Sequence, residues 1–256
     1  MSVDQISKPK ISAVISVHNE EERLTSCLKT LSFADEIIVL LDKCTDDSEL
    51  IARKFTDRVF RGDWKNEGDR RNAGIRFSSG TWIFEIDADE HVPIELANEI
   101  RVIVCDSNFD WHEIPVDNYI GKNLVRHGWG ASFGKAAYPG LFRRGVKVWG
   151  LQRVHPRLSW TGIKGPMLKN RLNHFVDKNI ADTIKRLNIY SNLRAKDLRD
   201  SGEVGSILSN SRRFFSRFLK CYIARKGYRE GGYGLLIAIC AGLFPLLSHL
   251  KAKLED

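Results

Sequence analysis

The first hundred residues alternate short apolar runs with segments of helical pattern, and this alternation constrains the fold more than any other feature. Four runs have the β-branched or apolar character of buried strands: Ile11–Val17, Glu36–Leu41, Arg58–Phe60 and Thr81–Ile86. Strands that alternate with helices are typical of βαβ units. The sequence therefore predicts an α/β fold with a mainly parallel sheet and helices on both faces.

Polar residues follow three of these predicted strands at the point where each one ends. His18 and Asn19 follow the first strand, Asp42 follows the second, and Asp87 and Asp89 follow the fourth. Parallel sheets bind ligands beyond the carboxyl ends of their strands. Because three separate stretches converge on that edge, we expect a ligand site there.

The fourth strand ends in the stretch EIDADEHV, which places four carboxylates and one histidine within Glu85–His91. Carboxylates repel one another, so we expect positive groups among them. The Asp-x-Asp pair of Asp87 and Asp89 offers hard oxygen ligands, which suit Mg²⁺ or Mn²⁺ bridging a diphosphate. The alternative interpretation is a surface Asp-Ala-Asp that caps the following helix.

Several competing motifs are excluded. A calcium loop of the EF-hand type needs Gly and Glu where Val92 and Asn98 stand. The sequence contains no G-x-G-x-x-G, no G-x-x-x-x-G-K-[ST], no H-E-x-x-H and no G-x-S-x-G. Dinucleotide binding, a phosphate-cradling loop of the ATPase kind, a zinc protease site and a serine hydrolase site are therefore not predicted.

Composition indicates the partners and the compartment. Forty basic residues against 32 acidic ones give a net charge of +8, which favours anionic partners such as nucleotides, nucleic acid or anionic lipid. No nucleic-acid-binding module is present, so nucleic acid is not expected. The five cysteines form no C-x-x-C pair and the N-terminus lacks an apolar signal segment. We therefore expect a cytoplasmic protein.

Four stretches together resemble glycosyltransferase family 2, in its order and spacing: Ile15–Glu21 (ISVHNEE), Asp35–Asp46 (DEIIVLLDKCTD), Gly68–Gly74 (GDRRNAG) and Trp82–Glu90 (WIFEIDADE). Within that family the chain is most similar to the lipopolysaccharide inner-core β-1,4-glucosyltransferases. The resemblance implies a GT-A (Rossmann-like) fold. It also implies an inverting, metal-dependent transfer of a hexose, such as glucose from UDP-glucose, to lipopolysaccharide core.

The resemblance also implies roles for individual residues. His18, Asn19 and Glu20 would line the nucleotide pocket, and Asp42 would accept a hydrogen bond from the uracil edge. Arg71 and Asn72 would face the nucleotide. Asp87 would hold the ribose or a water on the metal, and Asp89 would ligate Mg²⁺ or Mn²⁺ and so serve catalysis. Simpler interpretations stay open: Asn19 as a helix cap, Asp42 and Asp46 as caps of the helix at Ser48, and Arg71 as solvated surface.

The catalytic base is where the sequence departs from the family pattern. The core glucosyltransferases would have Val-His-Glu where this chain has Val154-His155-Pro156, and proline cannot accept a proton. His155 is the first candidate base because its ordinary pKa suits proton transfer. A second possibility is that Asp117 or Glu90 is the base. A third is that the chain has no efficient base and is a nucleotide-sugar-binding protein with little transfer activity.

The C-terminal part carries the prediction about the acceptor. We expect a GT-A donor and acceptor domain over residues 1–173 and a helical region over 174–256. A basic amphipathic segment, Arg212–Arg229, precedes the apolar run Leu235–Leu247, which Gly242 and Pro245 are expected to break. That run has only about 13 residues and is too short to span a membrane.

Basic charge beside aromatic side chains favours an anionic membrane surface, and we expect peripheral association with the inner face of the cytoplasmic membrane. The alternative is a helical hairpin packed on the core. The predicted partners are a UDP-sugar donor and an anionic, lipid-linked saccharide acceptor. That acceptor is lipopolysaccharide core or, alternatively, a polyprenyl-linked envelope glycan.

Overall fold

The computed structural model describes residues 9–130, 134–152 and 156–255. The strands are β1 (Ile11–Val17), β2 (Glu36–Asp42), β3 (Val59–Gly62), β4 (Trp82–Asp87), β5 (Glu90–His91), β6 (Trp111–Ile120), β7 (Asn123–Val125), β8 (Ala137–Arg143), β9 (Lys147–Trp149), β10 (Leu158–Trp160) and β11 (Leu172–Asp177). The α-helices are α1 (Glu21–Lys29), α2 (Ser48–Ala52), α3 (Glu67–Phe77), α4 (Ile94–Asp106), α5 (Ile180–Ser201), α6 (Ile207–Leu219) and α7 (Gly231–Leu254).

The chain divides into two compact units. The first contains residues 1–115 and 137–173, and the second contains residues 116–136 and 174–256. Residues 116–136 therefore group with the C-terminal helices, and the domain boundary at residue 173 stays a prediction. The segment pairs locally, since β7 runs antiparallel to the end of β6 through Asn118 and Val125.

The sheet of the first unit is parallel at its centre and antiparallel beyond it. Its strands follow the order β3-β2-β1-β4-β8-β6, with β11 and β5 beyond β6. β1 pairs in parallel with β2 and β4, and β2 pairs in parallel with β3. β8 runs antiparallel to both β4 and β6. The parallel strands place their carboxyl ends along one edge, as the sequence predicted.

Both faces of the sheet are covered, because alternate side chains of a strand point to opposite faces. On one face Ile15 of β1 lies in a buried cluster with Leu28 of α1 and Ile100 of α4. On the other face Val14 joins a cluster with Ile75 of α3. The predicted α/β class, mainly parallel with helices on both faces, is confirmed.

Helix α3 approaches the sheet closely enough to require a glycine. A Cβ added at Gly74 would lie 2.4 Å from Cγ1 of Val14 and 2.9 Å from Cδ1 of Leu40. Asn66 caps the same helix by accepting a hydrogen bond from the backbone N–H of Asp69 at 2.9 Å. The close contact and the cap fix the side chains that α3 presents at the carboxyl edge.

The second unit is helical, with α7 packed against α5 and α6. Buried side chains from three of its segments meet in one cluster: Leu187 of α5, Cys221 of the π-helical turn after α6, and Ala241 and Phe244 of α7. Asn179 and Ser206 cap α5 and α6 with their side-chain oxygens. After β11, which ends at Asp177, the unit contains the helices α5, α6 and α7.

The expected break in the last apolar run is wrong. Gly231–Leu254 is one helix with Pro245 inside it. Gly242 serves packing, because a Cβ there would lie 2.9 Å from the carbonyl oxygen of Phe214 on α6. Among the described residues, Gly227–Leu254 is the helical segment long and apolar enough to cross a membrane by length and composition, and 56% of its most apolar window is buried inside the protein.

Candidate active site

The turns after β1 and β2 are tied to each other by side-chain contacts. His18 donates from Nδ1 to the backbone carbonyl of Asp42 at 2.6 Å. Asn19 has a φ of 55°, in the left-handed region that asparagine tolerates, and its Oδ1 accepts from the backbone N–H of Thr45 at 2.8 Å. Asn19 as the cap of α1 is therefore wrong, because the N-cap residue is Glu20.

Asp46 joins the first turns of α1 and α2. Its Oδ2 accepts from the backbone N–H of Glu21 at 3.0 Å, and its Oδ1 accepts from that of Ser48 at 3.1 Å. Glu21 returns the contact by accepting from the backbone N–H of Asp47 at 3.0 Å. These bonds use the free N–H groups that a helix leaves at its N-terminus, so the loop beside Asp42 is held on both sides.

Asp42 lies at the end of β2 and is held by a basic residue that sequence analysis did not single out. Arg70 donates from Nη1 to Oδ2 of Asp42 at 2.9 Å, and the backbone N–H of Trp64 donates to Oδ1 at 3.3 Å. Both side chains of the ion pair are mostly buried. Among the described contacts, Asp42 does not cap the helix that begins at Ser48. The backbone N–H of Ser48 donates to Asp46 instead.

Arg71 points to a different carboxylate from Arg70. Its Nη2 donates to Oδ1 of Asp87 at 2.8 Å, and its Nε donates to Oε1 of Glu67 at 2.8 Å. The guanidinium also stacks 4.8 Å from the ring centre of Trp149. Burial alone would lower the pKa of Arg71, but the charges of Asp87, Glu67 and Glu85 hold it well above its ordinary value. Arg71 is a fixed cation of the site, not solvated surface.

Asn72 holds strand β9 against α3. Its Nδ2 donates to the backbone carbonyl of Trp149 at 2.9 Å, and its Oδ1 accepts from the backbone N–H of the same residue at 3.0 Å. This two-way contact positions the Trp149 ring beneath Arg71. The predicted nucleotide contact of Asn72 stays a prediction, and its observed contacts are to protein.

A buried ion pair lies under the edge of the sheet. Glu85 of β4 and Lys147 of β9 are 2% and 3% exposed and form an ion pair. Glu85 also accepts from Nε1 of Trp149 at 2.9 Å, and Lys147 donates to the carbonyl of Pro139 at 3.1 Å. The Lys147 ammonium lies 4.4 Å from the ring centre of Trp149. The same tryptophan thus contacts both this pair and Arg71.

The four carboxylates of Glu85–Glu90 therefore have separate partners. Glu85 pairs with Lys147, Asp87 pairs with Arg71, and Asp89 lies 3.5 Å from Nη1 of Arg23. Glu90 accepts through Oε2 from the backbone N–H of Asp87 at 2.9 Å, which fixes the turn between the aspartates. The positive groups expected among these carboxylates are present, and they come from three distant parts of the sequence.

The predicted metal ligands are Asp87 and Asp89, whose side chains are 32% and 22% exposed. Burial raises the pKa of the nearby Glu20, and the negative charges of Asp89, Asp87 and Asp46 raise it further against the opposing effect of Arg23. At Glu20 the charges of these aspartates are therefore only partly offset by Arg23. Among described residues, no group of three or more His, Cys, Asp and Glu side chains is arranged to hold a metal ion.

Asp87 and Asp89 fit Mg²⁺ or Mn²⁺ as a site in which the protein supplies only two carboxylate ligands. Both cations prefer oxygen ligands, and Mg²⁺ is usually held by one or two carboxylates together with substrate phosphates and water. Two partly exposed aspartates match that description.

The predicted base His155 lies outside the described residues, between Gln152 and Pro156. Both alternatives are engaged. In the second unit, Asp117 accepts from Nε and Nη2 of Arg126 at 3.0 and 2.9 Å. In the first unit, Glu90 is fully buried and accepts from Asp87. Both oxygens of Asp117 thus already accept from a cation, and Glu90 has no exposed surface.

Comparisons with known proteins define the class to which this chain belongs. A model described as glycosyl transferase family 2 matches residues 12–108. An uncharacterized glycosyltransferase of Rickettsia typhi is 31% identical over 265 residues, covering 96% of this chain and 87% of that protein. The chain is a glycosyltransferase. More particularly, it belongs to glycosyltransferase family 2.

Two further similarities have lower identity. The lipopolysaccharide core biosynthesis glycosyltransferase LpsC of Rhizobium meliloti is 24% identical over 266 residues, covering 96% of this chain and 93% of that protein. Among solved structures, S. aureus TarS 1-349 in complex with UDP-GlcNAc has a TM-score of 0.49 at 11% identity, covering 74% of this chain and 66% of that one. This TM-score is too low to indicate a ligand or an acceptor for the present protein.

Proposed function

We propose that the enzyme transfers a hexose from a UDP-sugar, with inversion, to lipopolysaccharide core or a related membrane-borne glycolipid. The observation that carries the proposal is the convergence of Asp42, Arg71, Asp87 and Asp89 at the carboxyl ends of β2 and β4 and on α3. The similarity to LpsC supports the acceptor class. Glucose is the proposed sugar, from the resemblance to core glucosyltransferases.

In this proposal the nucleotide lies against the ends of β1 and β2. Asp42 presents an oxygen to the uracil edge, and Arg70 together with the N–H of Trp64 sets the orientation of that carboxylate. The loop of His18 and Asn19 forms the wall beside it. A carboxylate accepts from the N3–H of uracil, whereas cytosine presents an acceptor nitrogen at the same ring position.

The diphosphate lies at the end of β4. Asp87 and Asp89 would hold Mg²⁺ or Mn²⁺, which supplies charge neutralisation for the departing UDP when bound. Arg71 holds Asp87 in place through its ion pair, and Trp149 below supports the guanidinium. Because these groups are oriented before substrate arrives, little reorganisation is needed as negative charge develops on the leaving group.

The acceptor hydroxyl must lose a proton as it attacks the sugar. His155 is the proposed base, with Asp117 and Glu90 as alternatives. Pro156, in the place where the related core glucosyltransferases would have Glu, favours one second candidate function: binding of a nucleotide sugar with little transfer. A transferase acting on a polyprenyl-linked envelope glycan is the alternative within the same reaction class.

Turnover separates these functions. The purified chain is assayed for release of UDP or GDP from a panel of UDP- and GDP-sugars, with and without Mn²⁺, and with extracted lipopolysaccharide as acceptor. The proposal expects Mn²⁺-dependent release from UDP-glucose that the acceptor increases. If UDP and GDP release stays at background for every donor while the chain still binds UDP, the result would favour a nucleotide-sugar-binding protein with little transfer activity.

A variant then tests the base. His155→Ala is expected to lower turnover by about 100-fold or more while UDP binding is retained, because a general base contributes about that factor. His112→Gln is a matched control. The His112 side chain is buried, with only 3% of its surface exposed, and it forms hydrogen bonds with Ser107 and Pro166 rather than with any proposed substrate group. Unchanged turnover in His155→Ala would move the role to Asp117 or Glu90.

A further inference from the structure

Helix α6 and the π-helical turn that follows it present a stripe of apolar side chains to solvent. Leu208, Phe215, Leu219 and Ile223 are 79%, 64%, 50% and 58% exposed. Their spacings of seven, four and four residues place them on one face of a helix. We call these four residues the α6 stripe.

The opposite side of α6 is already used for packing. Phe214 lies against Gly242 of α7, and Phe218 packs on the buried cluster that contains Ala238 and Ala241. The helix therefore has two apolar sides, and only one of them is needed to hold it in the fold. A stripe of large apolar side chains left in solvent is typical of an interaction surface.

The charge around the α6 stripe identifies what it would meet. Ser206–Arg229 contains no carboxylate and seven basic residues: Arg212, Arg213, Arg217, Lys220, Arg225, Lys226 and Arg229. The chain as a whole has a net charge of +8, so the remainder of the sequence is close to neutral. Arg217 packs over the ring of Phe244 and Arg225 lies against Gly130, whereas the other five are exposed. Exposed positive charge beside an exposed apolar stripe is complementary to an anionic lipid surface.

Helix α7 is more apolar than α6, but less of its apolar surface is exposed to solvent. Ile237, Ala238 and Ala241 in its middle are fully buried, and they pack within the second unit. Exposure and charge therefore both favour α6 over the run Leu235–Leu247, the apolar segment of the predicted membrane-associating region.

We propose that the α6 stripe lies in the surface of an anionic bilayer. Leu208, Phe215, Leu219 and Ile223 contact acyl chains, and Arg212 and Lys220 contact lipid phosphates. The inference deepens the proposed function, on which it rests for the membrane-borne acceptor, by identifying the surface that holds the enzyme beside that acceptor. The lipid contact itself involves no sugar donor and can be measured without transfer.

Sedimentation with vesicles tests this surface. The full chain is mixed with vesicles of phosphatidylcholine alone or with 30 to 40% phosphatidylglycerol (about a third anionic lipid). The proposal expects binding to the anionic vesicles only, weakened as salt rises. Phe215→Ser/Leu219→Ser is expected to reduce the partition coefficient about tenfold or more. Arg212→Glu/Lys220→Glu is expected to reduce it by at least about tenfold.

Matched controls come from the first unit. Val102→Ser removes an apolar side chain that is 61% exposed on α4, and Lys29→Glu/Lys54→Glu reverses two exposed charges. Neither control should change vesicle binding, and circular dichroism should show all variants folded. Equal binding of stripe and control variants, or equal binding to neutral vesicles, would overturn the proposal.

Two further outcomes are informative. If sedimentation velocity without lipid shows a dimer that Phe215→Ser converts to a monomer, the stripe is an interface between copies and the lipid proposal is wrong. UDP release in water is measured on the same variants. Loss of vesicle binding with unchanged UDP release supports the surface, whereas a wild-type chain that binds vesicles but releases no UDP refutes only the proposed function.

Discussion

At the residue scale, two adjacent arginines serve two different carboxylates. Successive residues of an α-helix point about 100° apart, so Arg70 reaches Asp42 at the end of β2 while Arg71 reaches Asp87 at the end of β4. The resemblance through GDRRNAG implies basic residues near a nucleotide, but it does not indicate which arginine faces which strand. The pairing depends on how α3 is rotated on the sheet, which Gly74 and its neighbours in the core determine.

The buried pair Glu85–Lys147 gives a stability prediction. Removing one partner leaves a buried charge, so Lys147→Met or Glu85→Gln is expected to lower the free energy of unfolding by about 3–5 kcal/mol. The double variant is expected to lose much less than the sum of the two, because neither charge is then left alone. Urea denaturation followed by fluorescence measures all three.

An exposed pair serves as the control for this cycle. Lys43 and Asp63 lie 2.7 Å apart with side chains 52% and 79% exposed. Asp63→Asn should leave the urea midpoint nearly unchanged, because exposed ion pairs contribute little. If the double variant loses the sum of the unfolding free energies lost in Lys147→Met and Glu85→Gln, the two residues are not energetically coupled.

At the element scale, the starts of β1, β2 and β4 are joined through one carboxylate. Glu36 accepts from the hydroxyl of Ser12 and from the backbone N–H and hydroxyl of Ser79. Gly80 then donates to the Ser12 hydroxyl at 2.8 Å, where a Cβ would lie 2.5 Å from that oxygen. The network holds three strands in register at the edge opposite the active site.

Glu36 therefore predicts a pH dependence. Burial raises its pKa, but the hydrogen bonds from Ser12 and Ser79 and the charge of Arg58 outweigh it and hold the pKa below the ordinary 4.5. A lowered folded pKa contributes stability above the unfolded pKa, and that stability is lost as pH falls through the folded value. Glu36→Gln is expected to cost about 1 kcal/mol at pH 7.

Urea midpoints measured between pH 7 and pH 3 check this. The difference between wild type and Glu36→Gln should shrink as pH falls below the ordinary glutamate value. A constant difference across that range would show that the charge of Glu36 contributes nothing and that only its shape matters.

Helix α7 gives a second prediction at this scale. Gly242→Ala is expected to cost about 1–3 kcal/mol, because the new Cβ would lie 2.9 Å from the carbonyl oxygen of Phe214. Gly232→Ala is the control: it lies in the same helix with nothing within 4 Å of the new Cβ, so it should stabilise by about 0.5–1 kcal/mol. Thermal unfolding distinguishes the two, and equal effects would contradict the packing role of Gly242.

At the scale of the whole molecule, the sequence predicted the first unit better than the second. In β1–β4 the hydrophobic period and the polar strand ends are local signals, and the four predicted strands match within about two residues at each end. The second unit depends on packing that local patterns do not contain. Pro245 inside α7 and the membership of residues 116–136 both follow from contacts with distant segments.

The candidate site shows the same division. Asp42, Asp87 and Asp89 follow their strands in sequence and could be predicted from the α/β pattern alone. Arg70, Lys147 and Trp149 act through contacts across 28, 62 and 64 residues, to Asp42 and Glu85. No local pattern indicates such partners. The interpretation of Asn19 as a helix cap follows from the frequency of asparagine at caps, and its left-handed backbone shows why that preference misleads here.

In the proposed function, the carboxyl edge of the sheet binds the diphosphate of a nucleotide through a divalent cation held by Asp87 and Asp89. Calorimetric titration of UDP into wild type, Asp89→Asn and Asp63→Asn, each with and without Mn²⁺, tests it most directly. We expect Mn²⁺ to strengthen UDP binding by about tenfold or more in wild type and in Asp63→Asn, and not in Asp89→Asn. Equal UDP affinity with and without Mn²⁺, or an unchanged response in Asp89→Asn, would contradict the claim.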